Sequence, residues 1–167
     1  YFLYQVKNEV SKILQEVYTS TGKKWNVEED GLIITTTLNL SLQKLANQSF
    51  HDHLSVMQKR LDKQYQTISG RRFIARLAEN ELKKTNLMEK AYEVKPRLIF
   101  NWQGTFPDSI SVIDSMKSSI RMLHAGLLAM NPVTGAIRAW VGGIDFKTNP
   151  YDQILARRQT GSTFKPF

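Results

Sequence analysis

Residues 125–143, AGLLAMNPVTGAIRAWVGG, decide how the chain folds toward its C-terminus. Two short apolar runs, Ala125 to Met130 and Ala136 to Val141, flank Asn131-Pro132-Val133-Thr134-Gly135. A connection so rich in turn formers, between runs too short for helices, predicts an antiparallel β-hairpin. Gly142-Gly143 closes its second strand, and the polar stretch from Asp145 to Asp152, which contains Asn149-Pro150, reads as a loop. Gln153 to Thr160 then leads into Gly161-Ser162-Thr163-Phe164-Lys165-Pro166-Phe167.

Upstream of the hairpin, Ser109 to Met122 reads as a helix with Ile110, Ile113, Met116, Ile120 and Leu123 at suitable spacing and an Asp or Ser near its start as cap. From Lys95 the period is two, with Leu98, Phe100 and Trp102 on one side and Arg97 and Asn101 on the other, which predicts a strand that turns at Gly104. Further back, Asn39 can cap a long helix whose face carries Leu42, Leu45, Ala46, Ser49, Phe50, His53, Met57 and Leu61. Ser69-Gly70 is the expected break before a third helix bearing Phe73, Leu77 and Leu82, so the two should form a helical hairpin. The β-branched stretch Gly31-Leu32-Ile33-Ile34-Thr35-Thr36-Thr37 has the composition of a strand. Residues 1 to about 19 form an amphipathic helix, with Phe2, Val6, Val10, Ile13, Leu14 and Val17 on one stripe and Thr21-Gly22 as its end. The expected fold class is α+β, a small antiparallel sheet with flanking helices and a helical-hairpin insertion. No internal repeat or low-complexity tract interrupts it.

The chain of 167 residues is 41% hydrophobic and 10% aromatic, enough for a folded core. Its 23 Lys and Arg against 15 Asp and Glu give a net charge of +8, which favours anionic partners. The basic residues are scattered, with only short pairs such as Lys23-Lys24, Arg71-Arg72, Lys83-Lys84 and Arg157-Arg158, so no nucleic-acid-reading stripe is present and no nucleic acid is expected as partner. Absence of cysteine excludes disulfides and thiolate metal sites and fits a reducing cytosol or a bacterial periplasm equally. No apolar run approaches the roughly 18 residues of a membrane span, so a soluble piece is expected. Because the chain starts at Tyr1 with helical periodicity already under way, sequence upstream, including any membrane anchor, is expected to have been removed.

Ser162-Thr163-Phe164-Lys165 carries the sharpest chemical signal. On a helix, residues three apart lie on one face with Cβ atoms about 5–6 Å apart, so the Lys165 amine can reach the Ser162 hydroxyl. A serine hydroxyl is a poor nucleophile at neutral pH, and a lysine can take its proton only if burial or a neighbouring cation keeps part of the amine neutral. A helix N-terminus at the serine would also favour the negative charge that develops on a tetrahedral intermediate. Gly161 leaves room for an acyl donor, and Pro166 requires that the helix start close to Ser162. Other conspicuous residues read more simply. His51 and His53 face different ways on a helix and cannot share a metal as an i, i+4 pair would. Glu28-Glu29-Asp30 lacks the spaced oxygens of a calcium loop and reads as a solvated turn. Trp25, Trp102 and Trp140 are apolar anchors first. No cofactor and no metal are expected.

Arg158-Gln159-Thr160-Gly161-Ser162-Thr163-Phe164-Lys165-Pro166-Phe167 resembles the nucleophile segment of class A penicillin-binding proteins, the bifunctional enzymes that polymerise and cross-link peptidoglycan. Residues 125–143 resemble the first hairpin of that family's transpeptidase domain. Residues 31–38, followed by Leu42-Gln43 and Ala46, resemble the strand and helix that follow its glycosyltransferase domain. The resemblance implies residues 1–123 as an interdomain linker region with a helical insertion, and 124–167 as the start of a transpeptidase domain. It implies Ser162 as the nucleophile acylated by the penultimate D-alanine of a stem peptide, and by β-lactams, with Lys165 as its base. It also implies a parent on the periplasmic face of the bacterial inner membrane, anchored by a helix upstream. Thr160 stands where the family usually has proline, a change expected in the entering loop more than in the chemistry. The S-x-N and K-T-G motifs that complete such a site do not occur, Lys84-Thr85-Asn86 and Lys147-Thr148-Asn149 being neither complete nor correctly placed. The 167 residues alone are therefore expected to be inactive. The competing expectation is that residues 1–123 are a noncatalytic module that docks a cell-envelope regulator.

Overall fold

The computed structural model describes residues 1–157 and 159. In chain order the elements are α1 (Phe2–Thr21), α2 (Leu40–Tyr65), α3 (Ile68–Lys84), a single 3₁₀ turn at Met88–Lys90, β1 (Val94–Asn101), β2 (Gly104–Ser111), α4 (Val112–Arg121), β3 (Leu127–Met130) and β4 (Ile137–Val141). β1 pairs with β2 and β3 with β4, both antiparallel, so the chain is α+β with two-stranded sheets and helices, as the patterning predicts. Its contacts fall into two units. One holds Asn47–Ala125 and Ile144–Pro150, and the other holds Tyr1–Ala46, Gly126–Gly143 and the described residues from Tyr151.

The first unit is organised by apolar packing. Ile74, Ala78 and Leu82 recur every four residues along α3 and are its buried face. Ala78 and Leu82 join Ala91, Val112 and Ile113 in one cluster, with Leu87, Met116 and Ile120 packed around it. Leu82 is fully enclosed, and removing a leucine side chain from water contributes about 2–3 kcal/mol. α2 and α3 are joined by the turn at Gln66 and Thr67, three residues earlier than Ser69-Gly70 suggests. Thr67 Oγ1 accepts from the Gly70 N–H (3.1 Å) and caps α3, so Ser69-Gly70 lies inside the first helical turn. Glycine is needed there because a Cβ on Gly70 would meet the Gln64 carbonyl oxygen and sit 2.7 Å from Tyr65 Cα.

The strand β2 (Gly104–Ser111) replaces the start of the helix expected from Ser109, and α4 begins only at Val112. Pro107 hides this strand from a reading of period. The register resolves the difficulty: Asn101 opposes Gly104 across a two-residue turn, so Pro96 (opposite Ser109) and Pro107 (opposite Leu98) both fall on non-hydrogen-bonded positions, where a missing N–H breaks no rung. Each proline also removes a donor from one outer edge of the ribbon, which discourages further strands from adding. Ser111 then caps α4, its Oγ accepting from Asp114 N–H (3.2 Å) and donating to Asp114 Oδ2 (2.7 Å).

In the second unit α1 runs as predicted and ends at Gly22, whose φ of 73° places it in the left-handed region and whose N–H donates to Tyr18 O (2.8 Å). No residue of α1 is buried. Asn39 caps α2 as expected, its Oδ1 accepting from Leu42 N–H (2.9 Å). The strand expected at 31–37 does not form among the described residues. Ile33 is 96% exposed, and attachment to β4 is confined to the end of the segment. There Thr37 Oγ1 donates to Ile137 O (2.8 Å) and Asn39 N–H to Arg138 O (2.9 Å). A β-branched run without a continuous partner has the propensity of a strand and no ladder to realise it. The hydrophobic face of α2 also differs from expectation. Ala46, Leu54 and Gln58 are buried, while Leu42, Leu45 and Met57 remain in solvent.

Candidate active site

The hairpin β3–β4 that leads toward the serine motif forms as its sequence predicts. Leu127 opposes Val141, Leu128 opposes Trp140 and Ala129 opposes Ala139, with an irregularity between Ala129 and Met130. Asn131 organises the turn: its N–H donates to Ala136 O (2.9 Å), and its Oδ1 accepts from Val133 N–H (2.9 Å) and Thr134 N–H (3.0 Å). Gly135, with φ at 70°, makes the left-handed step.

β4 is held on its outer edge by a side chain acting as a strand. Gln43 Oε1 accepts from Trp140 N–H (2.7 Å) and Gln43 Nε2 donates to Trp140 O (3.1 Å), so one amide satisfies both backbone groups of a residue 97 positions away. The Trp140 indole points the other link: its Nε1 donates to Asp152 Oδ2 at 2.9 Å, with both residues buried. Asp152 Oδ1 accepts from Ile154 N–H (3.0 Å), and the Gln153 N–H donates to Gly142 O (2.7 Å). Gln5 Nε2 reaches Asp152 Oδ2 at 3.4 Å. A buried carboxylate with this many donors is held in place, whereas a buried carboxylate without them would cost several kcal/mol. Gly126 sits against Ile154, where a Cβ would come within 3.0 Å of its side chain. The segment after the hairpin is thus fastened to the end of β4 immediately before the motif. Ser162 and Lys165 lie outside the described residues.

The other residues singled out by sequence occupy ordinary positions. His51 Nε2 lies 3.0 Å from Trp102 O, and its ring meets the Trp102 ring edge-on at 5.4 Å. No group of three His, Asp or Glu that could hold a metal occurs among the described residues. Glu28 pairs with Lys7, whose hydrogen bond and charge hold its carboxyl below the usual glutamate range, and Asp30 Oδ2 accepts from Asn26 N–H (2.6 Å) to close an exposed turn. Glu93 is held low in the same way by Lys95, and Asp114 by the Ser111 hydroxyl and then Lys117. Trp25 lies beneath Lys23, whose Nζ is 3.7 Å from the ring centroid. Lys147-Thr148-Asn149 is tied up locally: Thr148 N–H and Oγ1 donate to Asp145 Oδ2 (2.8 and 2.7 Å), and Asn149 bonds His124. Gln43, Gln58 and Asp152 are the positioning residues that sequence reasoning missed. Only Gln43 carried a signal, its place in the stretch 42–46 that resembles a known helix.

Compared with known proteins, the chain is 26% identical to penicillin-binding protein 1A of Rickettsia typhi in an alignment that takes in 100% of the chain and 25% of that protein. The chain is similar to penicillin-binding protein 1A. Shorter, stronger matches agree. Penicillin-binding protein 1A of Neisseria gonorrhoeae is 47% identical over 47 residues, 28% of this chain and 6% of that protein. Its Pseudomonas aeruginosa counterpart is 48% identical over 45 residues, 26% of this chain and 6% of that protein. These relatives bear out the resemblance to the class A penicillin-binding proteins. The chain spans about a quarter of the length of the Rickettsia penicillin-binding protein. No family model and no solved structure matches it. Among the described residues no helix is long and apolar enough to cross a membrane.

Proposed function

We propose that the chain supplies the opening of a serine transpeptidase that cross-links peptidoglycan, with residues 1–123 as the region joining it to a glycosyltransferase and 124–167 as the start of the penicillin-binding domain. The observation that carries this reading is the similarity of the whole chain to a penicillin-binding protein 1A, together with Ser162-Thr163-Phe164-Lys165 following a β-hairpin. Ser162 Oγ attacks the carbonyl carbon of the penultimate D-alanine as Lys165 Nζ takes the hydroxyl proton. Collapse of the tetrahedral intermediate breaks the peptide bond, forms the acyl ester and releases D-alanine, whose amine carries away a proton. An amine of a neighbouring stem peptide then attacks the ester, frees Ser162 and completes the cross-link. β-Lactams acylate the same oxygen and block it. In the intact protein this chemistry takes place at the periplasmic face of the inner membrane.

S-x-N and K-T-G do not occur in the 167 residues, so these residues alone do not hold a complete site. A fluorescent penicillin tests both halves of the reading. It should label the full-length parent, fail to label Ser162→Ala in that parent, and fail to label the 167 residues alone. Undiminished labelling of Ser162→Ala overturns the assignment of the nucleophile. Strong labelling of the isolated chain overturns its inactivity.

A second reading is supported by α1, which buries no residue and leaves Leu3 80% and Ile13 56% exposed. In this reading residues 1–123 act as a noncatalytic module that docks a cell-envelope regulator. Capture of such a protein by residues 1–123, with no loss when Ser162 is changed in the parent, separates it from the first.

A further inference from the structure

The unit built on α3 and α4 contains an open cavity of about 450 Å³ that has no part in the acyl-transfer reading. Its floor is apolar, formed by Ile74, Ala75 and the ring of Tyr65 at the end of α2. Its rim carries the cations of Arg71, Lys117 and Arg121, and no carboxylate lines it. Lys117 shares its charge with Asp114 at 3.0 Å, and Arg121 lies 3.5 Å from Asp62, while Arg71 has no ion pair among the described residues.

Two features make this arrangement costly without a ligand. Arg71 closes the first turn of α3, which contains no acidic residue, and Arg72 follows it, so the Arg71 charge opposes the positive end of the helix dipole. Lys117 and Arg121 lie one turn apart on α4, like charges on one face that turns toward Arg71 across the cavity. A concave apolar floor with a rim of one sign accepts a ligand that presents an apolar side chain between carboxylates. A flat bilayer surface fits it less well, because headgroup charges reach the rim and leave the floor unfilled.

We infer that this groove between α3 and α4 binds an acidic segment of a partner protein, an aromatic or branched aliphatic residue seated on Ile74 and Ala75 with flanking carboxylates on Arg71, Lys117 and Arg121. The inference stands whether or not Ser162 is a nucleophile.

The probe is a fluorescein-labelled hexapeptide, Glu-Asp-Leu-Phe-Asp-Glu, titrated with the 167-residue chain at low salt and followed by polarisation. Binding should saturate, weaken as salt is added, and be absent for the same peptide with lysine in place of its acidic residues. Arg71→Glu combined with Lys117→Glu should weaken it at least about tenfold, equivalent to about 1.4 kcal/mol. Arg72→Glu reverses one charge that does not line the cavity and, at about 0.15 M salt, where the Debye length is about 8 Å, should weaken binding less than Arg71→Glu alone. Ala75→Trp fills the floor without altering charge and should abolish binding, which keeps the test decisive if the double charge reversal does not fold. An unsaturable titration, or an equal loss with Arg72→Glu and Arg71→Glu, overturns the site. Preferential binding of phosphatidylglycerol vesicles with the same dependence on Arg71 overturns the peptide in favour of a membrane surface. Concentration-dependent self-association abolished by Ala75→Trp overturns it in favour of a second copy of the chain.

Discussion

The two units of this chain are built on different physics, and α2 gives a glutamine to each. In the unit of Asn47–Ala125 the main interaction is an apolar cluster from α3, α4 and Ala91, and Gln58 finishes the end of α4. Gln58 is 3% exposed; its Nε2 donates to Arg121 O (2.9 Å) and its Oε1 accepts from Leu123 N–H (2.8 Å). In the unit that contains β3–β4, few of the described residues are buried and the links are polar, with Gln43 paired to the backbone of Trp140 and Asp152 paired to its indole. Apolar packing tolerates small shifts at a graded cost, whereas a buried hydrogen-bonded pair has one satisfied geometry and a large penalty otherwise. The difference teaches that the segment running toward the serine motif is held by position-specific bonds rather than by bulk burial.

Trp140→Ala is the strongest way to break that contrast. It removes the largest buried side chain of the hairpin and strips Asp152 of its indole donor, so the loss should reach about 3–5 kcal/mol in urea unfolding. Hydrogen exchange should show the loss in β3–β4 while the amides of α3 keep their protection. Uniform deprotection would mean that the two units do not differ as described. Leu82→Ala is the reciprocal change, expected to cost about 2–5 kcal/mol through the cavity it leaves, with protection lost first in α3 and α4.

Gln58→Ala should be smaller, about 1–3 kcal/mol, because it orphans one backbone N–H and one carbonyl at the end of α4. Gln58→Glu sharpens the point, since it keeps the acceptor for Leu123 but loses the amide donor to Arg121 O and Asp62 Oδ1 and sets a buried carboxylate beside Asp62, so it should cost at least as much as Gln58→Ala; a stability equal to wild type would contradict the pairing.

Ser111→Ala should have the least effect, about 1 kcal/mol from a lost helix cap. It also has a pH signature. The Ser111 hydroxyl, and Lys117 after it, hold the Asp114 carboxyl below its ordinary value, so the folded state binds that proton less readily than the unfolded chain. The resulting stabilisation is present above the unfolded aspartate value of about 3.9 and is lost as pH falls through the lower folded value. Ser111→Ala should therefore narrow its deficit against wild type as unfolding is measured from neutral pH into acid. A deficit that widens in acid would contradict the assignment.

How much could be read from sequence follows the same division. The helix α1, the body of α4 from Val112, the hairpin β3–β4 and the Asn39 cap were legible because each rests on local period or turn chemistry. Residues 31–37 misled because β propensity reports what a segment can pair as, not whether a partner runs beside it. β2 was obscured by Pro107, whose tolerance depends on a register that sequence does not display. The face of α2 was misread for a physical reason: its buried stripe includes Gln58, a polar residue whose burial is stable only because Arg121 and Leu123 meet it from far along the chain. Asp152 was invisible on the same ground. The serine motif, by contrast, is read only as a short linear pattern and as part of a ten-residue resemblance, and Ser162 and Lys165 lie outside the described residues.

The most direct test is mass spectrometry of the full-length parent after reaction with benzylpenicillin and proteolysis. A penicilloyl adduct is expected on the peptide that contains Ser162, absent when Ser162 is alanine and strongly reduced when Lys165 is alanine. An adduct on any other side chain, with Ser162 unmodified, would contradict it.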